Sequence, residues 1–148
     1  MGRIRRFDGL RALAVLAVIQ HHFGIKAVND VLAPGGPAVQ LFFVLSGYLI
    51  TGILLDAREQ ADRGAALTTF YIRRALRIFP AYYVALTLAA SLNVNVYDAW
   101  PWHAAYLSNV RIALDGKWPG PVSHFWSLSV EEQFYLLWPM IVLFARRS

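Results

Sequence analysis

Apolar residues gather along this chain into long runs separated by short polar stretches. Four runs reach the length a bilayer crossing needs, ~20 residues at ~1.5 Å rise each. They extend from about Leu10 to Val28, Ala38 to Leu55, Ile78 to Val96 and Phe125 to Ala145. The second, AVQLFFVLSGYLITGILL, carries no charge. The first carries Arg11, Gln20, His21, His22 and Lys26, and the fourth carries the adjacent acids Glu131 and Glu132. The third follows an arginine cluster and places Pro80 in its first turn, where a missing N–H costs little. Between the third and fourth runs, the stretch from Tyr97 to His124 is rich in aromatics and predicts a short interfacial helix from His103 to Leu114. The expected fold class is all-α, a polytopic transmembrane helical bundle forming one domain over residues 1–148.

Charge orients these spans. Arg3, Arg5, Arg6 and Arg11, then Arg73, Arg74 and Arg77, then Arg146 and Arg147 each adjoin an apolar run, the arrangement of the positive-inside rule. Both termini and the loop from Asp56 to Arg77 are therefore expected in the cytoplasm. The loop at Pro34-Gly35-Gly36-Pro37 and the stretch Tyr97 to His124 are expected outside, with Arg111 and Lys117 running against the trend. Composition agrees: 57% of residues are hydrophobic and the mean hydropathy is +0.44. The net charge of +5 is spread over span-flanking clusters rather than one basic run, so no nucleic-acid partner is expected. With no cysteine in the chain, a disulfide framework and a Cys-based metal site are excluded, and no metal is expected. The N-terminal arginines and the apolar run after them resemble a signal peptide, but QHHF follows in place of a small-residue cleavage site. An uncleaved first span is expected.

Polar groups inside apolar runs are the candidates for chemistry, because they are expensive there and face a cavity or a partner. Arg11 and His22 are eleven residues apart; on a helix that is three turns plus ~20°, one face, with ~16 Å between them. His21 points ~100° away. His22 serves equally as an interhelical hydrogen-bond partner or as a group exchanging protons near neutral pH. Arg74 and Arg77 are i, i+3 neighbours and form a basic ridge, with Arg73 beside it, on a short interfacial helix whose apolar side is expected from Phe70, Tyr71, Ile72 and Phe79. Such a ridge anchors to lipid phosphates, or clamps a phosphorylated cytosolic ligand through its guanidinium groups. Ser46, Gly47 and Thr51 in the second run read as small residues for close helix packing; a nucleophilic Ser46 has no base beside it in sequence. Glu131 shares a helical face with Tyr135 and Trp138, and Glu132 with Leu136. One glutamate serves as a cap or a snorkelling acid after Ser127 or Ser129. The other needs a partner, and by depth His22 is the expected one. A carboxylate beside an imidazole fixes its tautomer and suits general base chemistry on a hydroxyl.

These residues resemble a known family, the acyltransferase family 3 membrane proteins. FDGLRALAVLAVIQHHF is similar to the family's opening segment, with Arg11 and His22 on its arginine–histidine motif. VQLFFVLSGYLIT resembles its second span, FYIRRALRIFPAYY carries its paired arginines at Arg74 and Arg77, and FWSLSVEEQFYLLWP resembles its most recognisable block. The resemblance covers essentially the whole chain. It implies an integral-membrane O-acyltransferase that moves an acyl group, commonly acetyl, from cytosolic acyl-CoA to a hydroxyl of a saccharide or another surface or secreted acceptor. It implies His22 as the catalytic histidine, Arg11 as its motif partner and Glu131 as a supporting polar residue. It implies Arg74 and Arg77, with Arg73, as donor-binding groups. The plasma membrane is the expected location, with membrane lipid around the chain. Family members carry further spans, so the chain is expected to be an N-terminal portion that works with a C-terminal portion or a partner subunit. The competing expectations are a catalytically incomplete segment that only binds lipid or partner helices, and a proton pathway through His22 and Glu131.

Overall fold

The computed structural model describes residues 5–32, 35–59, 62–118 and 120–145. They are helical, with no strand among the described residues. The chain forms two compact units, Met1–Glu59 and Gln60–Ser148.

The first unit holds α1 (Arg5–Phe23), α2 (Lys26–Leu32) and α3 (Gly35–Arg58). The expected first span, Leu10 to Val28, is cut: α1 closes where the Gly24 N–H reaches the Gln20 carbonyl at 2.8 Å. The Asn29 amide then donates to the His21 carbonyl at 2.8 Å, satisfying one of the carbonyls a helix end leaves open. The expected second span lies inside α3, which runs beyond it at both ends. α1 packs along α3, burying Ala14, Ala38, Leu45, Ser46, Ile50 and Leu54. Close approach occurs at Gly35, where a Cβ would stand 2.6 Å from the His21 ring. Gly47, expected to serve that purpose, has open space instead. Thr51 turns its hydroxyl back to the Gly47 carbonyl at 2.6 Å.

The second unit begins with α4 (Arg63–Leu92). Asp62 caps it by accepting from the Ala65 N–H at 2.9 Å, satisfying a donor that the first turn leaves open. It ends at Asn93, whose extended backbone (φ −145°, ψ 115°) breaks the helix and whose side chain caps α5 (Val94–Asp98). This corrects the expected third span of Ile78 to Val96. The helix expected around Phe70 to Phe79 is present but begins earlier, at Arg63, and is continuous with the span, so that Pro80 lies deep within α4 rather than in a first turn. After α5 come α6 (Trp100–Ala104), α7 (Ser108–Asp115), a single 3-10 turn at Gly120–Val122 and α8 (Phe125–Phe144). The single short helix expected over His103 to Leu114 is in fact two, broken at Ala105–Leu107. α7 closes on Gly116, whose φ of 63° is the left-handed conformation glycine adopts without strain. α8 matches the fourth expected run almost residue for residue.

Tyr82, Leu86 and Ala90 of α4, Val96, Tyr106, Val122 and Phe125 form the core of this unit. α8 is tied to α4 at two more levels: the Tyr71 hydroxyl donates to the Leu136 carbonyl at 2.6 Å, and Arg63 reaches the Leu143 carbonyl at 3.3 Å. The Arg63 contact places a cation at a helix C-terminus, where the open carbonyls favour positive charge. α3 and α4 are long and apolar enough to cross a membrane. Along α4 every fourth residue from Ile72 through Leu76, Pro80, Val84 and Leu88 to Leu92 is exposed, and Leu92 is 86% exposed. Uncovered apolar stripes of this length suit hydrocarbon rather than water, the mark of a membrane protein.

Candidate active site

The break between α6 and α7 carries most of the unusual chemistry in the second unit. Tyr106 sits there at φ 54°, a left-handed conformation that is strained for a bulky side chain and persists only where its surroundings hold it. The adjacent tyrosines Tyr82 and Tyr83 of α4 donate to the His103 and Ala104 carbonyls at 2.7 and 2.9 Å. They satisfy carbonyls that the end of the five-residue α6 leaves open. From α8, the Gln133 amide donates to the Tyr106 carbonyl at 2.9 Å and exchanges two hydrogen bonds of 3.0 Å with Asn109. The Ser129 hydroxyl accepts from the Ser108 N–H at 3.3 Å. Side chains of α4 and α8 thus fasten the backbone at His103, Ala104, Tyr106 and Ser108.

Buried among these contacts is His103, 1% exposed, with Nδ1 2.7 Å from the Ser108 hydroxyl. Burial first, and the charge of Arg111 second, hold its pKa below the usual histidine range. The Tyr106 hydroxyl is pushed up from the ordinary tyrosine range, by burial first and then by the Glu132 carboxylate. The Tyr106 ring stacks on Tyr82 with centroids 4.2 Å apart.

On the α4–α8 seam, the Arg74 guanidinium lies over the Tyr135 ring, 4.1 Å from its centroid. The Tyr135 hydroxyl donates to Glu131, and the charge of Arg74 also acts on Glu132. The expected common face of Glu131 and Tyr135 is therefore present. The expected pairing of a glutamate with His22 lies outside the described residues, because the His22 side chain does. Arg74 is half-buried, whereas Arg73 and Arg77 are exposed. The three arginines accordingly divide: one is bound into the seam and two are exposed.

Arg11 and His22 both lie on α1, but their side chains fall outside the described residues. Arg3, Arg146 and Arg147 fall outside them altogether. Sequence reasoning missed His103, Tyr106, Ser108 and Gln133. A signal was present: Tyr82-Tyr83 and Gln133 are hydrogen-bonding groups in apolar runs, and each needs a partner off its own helix.

A family model described as an acyltransferase domain matches residues 4–148. The chain belongs to acyltransferase family 3. Within that family it is 39% identical to the peptidoglycan O-acetyltransferase OatA of Listeria monocytogenes, over 92% of this chain and 24% of that protein. A Bacillus subtilis protein provisionally named as a peptidoglycan O-acetyltransferase is 36% identical, over 92% of this chain and 23% of its own length. A Staphylococcus aureus protein provisionally named as an O-acetyltransferase is 37% identical, over 97% of this chain and 25% of its own. The chain thus spans about a quarter of the length of the curated relatives it matches. No solved structure matches it. The blocks that carry the acyltransferase family 3 resemblance include both partners of the Arg74–Tyr135 contact.

Proposed function

We propose that this chain is part of an integral-membrane O-acyltransferase that moves an acetyl group from acetyl-CoA to a hydroxyl of a cell-wall saccharide. The observation that carries this reading is the Arg74–Tyr135–Glu131 arrangement. It joins the arginine block and the glutamate block, the two family motifs within one unit, into one charged seam. The peptidoglycan in two relatives' names supports a saccharide acceptor over other surface hydroxyls. Family membership and the uncovered apolar stripes support four crossings, with both termini in the cytoplasm and the plasma membrane as the location.

In this reading Arg73 and Arg77, exposed on α4, hold the donor's phosphates, and Arg74 links them to α8. Guanidinium groups suit phosphate because they offer two parallel donors. His22 takes the proton of the acceptor hydroxyl as its oxygen attacks the thioester carbonyl. The C–S bond then breaks and the departing thiolate takes up a proton. Arg11 lies on the same helical face as His22, and Glu131 holds the Tyr135 ring on which Arg74 rests. The activity belongs to the whole protein of which such a chain is part.

His22→Ala in membranes containing the full-length protein is expected to lower acetyl transfer by ~10²-fold or more with normal membrane expression. Undiminished transfer would remove His22 from the mechanism. An alternative, a segment that only holds lipid or partner helices, is favoured by the exposed apolar faces alone. Acetyl-CoA binding that weakens in Arg73→Ala and Arg77→Ala separates the two, since a lipid-holding segment has no use for the donor.

A further inference from the structure

Three contacts set α4 antiparallel to α8: Arg63 with Leu143, Tyr71 with Leu136, and Arg74 with Tyr135. Tyr135 stands midway along the 20-residue α8, ~15 Å from either end. In the crossing proposed above, Arg74 is therefore a cation at the depth of the hydrocarbon, where a charge is costly and marks a functional position. Its charge acts on Glu132, yet among the described residues it forms no ion pair and no hydrogen bond. No nitrogen of the guanidinium is both buried and unanswered, so its donors reach the surface of the unit.

Two aromatic rings hold it instead. The guanidinium carbon lies 4.1 Å from the Tyr135 ring centroid and 5.8 Å from that of Phe70, one turn back on α4. A ring attracts a cation through its π face and offers no hydrogen-bond acceptor, so the N–H donors stay uncommitted. Arg73 and Arg77 have no ring contact among the described residues. The Tyr135 ring is itself fixed. It is 2% exposed, and its hydroxyl donates to Glu131, one turn away on α8. The Tyr71 hydroxyl anchors the carbonyl of the next residue, Leu136, at 2.6 Å. A long cation resting on a fixed ring has already lost the side-chain freedom that a free arginine surrenders on binding. It presents donors at a set position, the complement of an anion with several acceptor oxygens, such as phosphate.

We propose that Tyr135 is a positioning residue for donor binding: its ring, together with that of Phe70, holds Arg74 so that the guanidinium receives a phosphate of the acyl-CoA donor. The inference rests on the donor named in the proposed function and adds Tyr135 and Phe70 to the set of residues that hold it. Tyr135 acts through Arg74.

The test measures acetyl transfer by the full-length protein in membranes, with acetyl-CoA and with acetyl-pantetheine, which carries the same thioester and no phosphate. Tyr135→Leu is expected to raise the KM for acetyl-CoA about fivefold with a smaller change in kcat. The preference for acetyl-CoA over acetyl-pantetheine is expected to fall by the same factor. Tyr135→Phe keeps the ring and is expected to recover most of that loss. Arg74→Ala is expected to raise the KM about tenfold or more. Adding Tyr135→Leu to it is expected to cost nothing further, because the ring acts through the cation. Phe70→Leu removes the second ring and is expected to act in the same direction more weakly; it serves if Tyr135→Leu does not reach the membrane. Equal losses on the two donors, additive losses in the double variant, or a Tyr135→Phe as damaging as Tyr135→Leu would overturn the inference. If Arg73→Ala and Arg77→Ala weaken acetyl-CoA binding while Arg74→Ala, Phe70→Leu and Tyr135→Leu do not, this inference falls and the proposed function stands. If the wild-type protein binds no acetyl-CoA, both fall.

Discussion

In the unit of α1 to α3, helix meets helix through Ala14, Ala38, Leu45, Ile50 and Leu54, and the hydrogen bonds Thr51 to Gly47 and Asn29 to His21 join positions close in sequence. In the unit of α4 to α8, side chains bridge segments far apart in the chain: Tyr82 and Tyr83 to α6, Gln133 to Tyr106 and Asn109, Tyr71 to α8. The contacts described between α1 and α3 are fits of shape, and those described between α4 and α8 are polar pairings. A shape-specified pair tolerates lost hydroxyls and suffers from added volume. A unit fastened by buried polar groups does the reverse, because each lost partner strands another group away from water.

The sharpest way to break this comparison is Gln133→Leu. It removes three hydrogen bonds and strands the Tyr106 carbonyl and the Asn109 amide, so it is expected to destabilise the second unit by about 3 kcal/mol. Thr51→Val in the first unit is expected to cost less than about 1 kcal/mol, since its hydroxyl returns to the Gly47 carbonyl of its own helix. Equilibrium unfolding in mixed micelles measures both, and equal losses would dissolve the distinction. Volume tests the other half. Gly35→Ala forces the His21 ring aside and is expected to cost ~1–3 kcal/mol. Gly47→Ala meets open space and is expected to gain ~0.5–1 kcal/mol. The same unfolding series reads the pair, and the opposite signs are the point.

A smaller effect concerns pH. The His103 pKa is lowered in the folded chain, so in the window below the ordinary value near ~6.5 the unfolded state binds the proton first. Stability is then complete above that value and falls as pH drops through the folded pKa. The groups described acting on the imidazole are Ser108 and Arg111 from α7 and the Phe125 ring from α8. Arg111 is the only one of these that bears a charge in this range. His103→Asn is expected to flatten this part of the pH–stability curve; an unchanged slope would assign the acid loss to other groups.

The helices that bury one stripe or none were legible in the sequence, since their apolar runs announce themselves: α3 and α8 lie close to their expected bounds. The amino-terminal half of α4 was not. Beyond the short helix expected from Phe70, its first residues RGAALTT look like a loop to a hydropathy reading, yet Asp62 caps them and the helix starts at Arg63. The break at Tyr106 was also hidden. No glycine or proline marks it, and the conformation is imposed by Gln133 and the two tyrosines, contacts between positions distant in sequence. At the site, the pairing of Glu131 with Tyr135 followed from helical spacing alone, and the placement of Arg74 over that ring did not. His103 was overlooked because it lies in an interfacial stretch, where an isolated histidine attracts no suspicion; only its burial gives it weight.

α4 has 30 residues, ~45 Å at ~1.5 Å per residue, against a hydrocarbon layer of ~30 Å. Arg73, Arg74 and Arg77 therefore ride on the same helix as Tyr82 and Tyr83, about two turns away. A tug at the arginine end has a mechanical route to the tyrosines and so to the carbonyls they grip. Pro80 lies between the two ends and lacks the N–H that would bind the Leu76 carbonyl, which makes it the natural elbow of that helix.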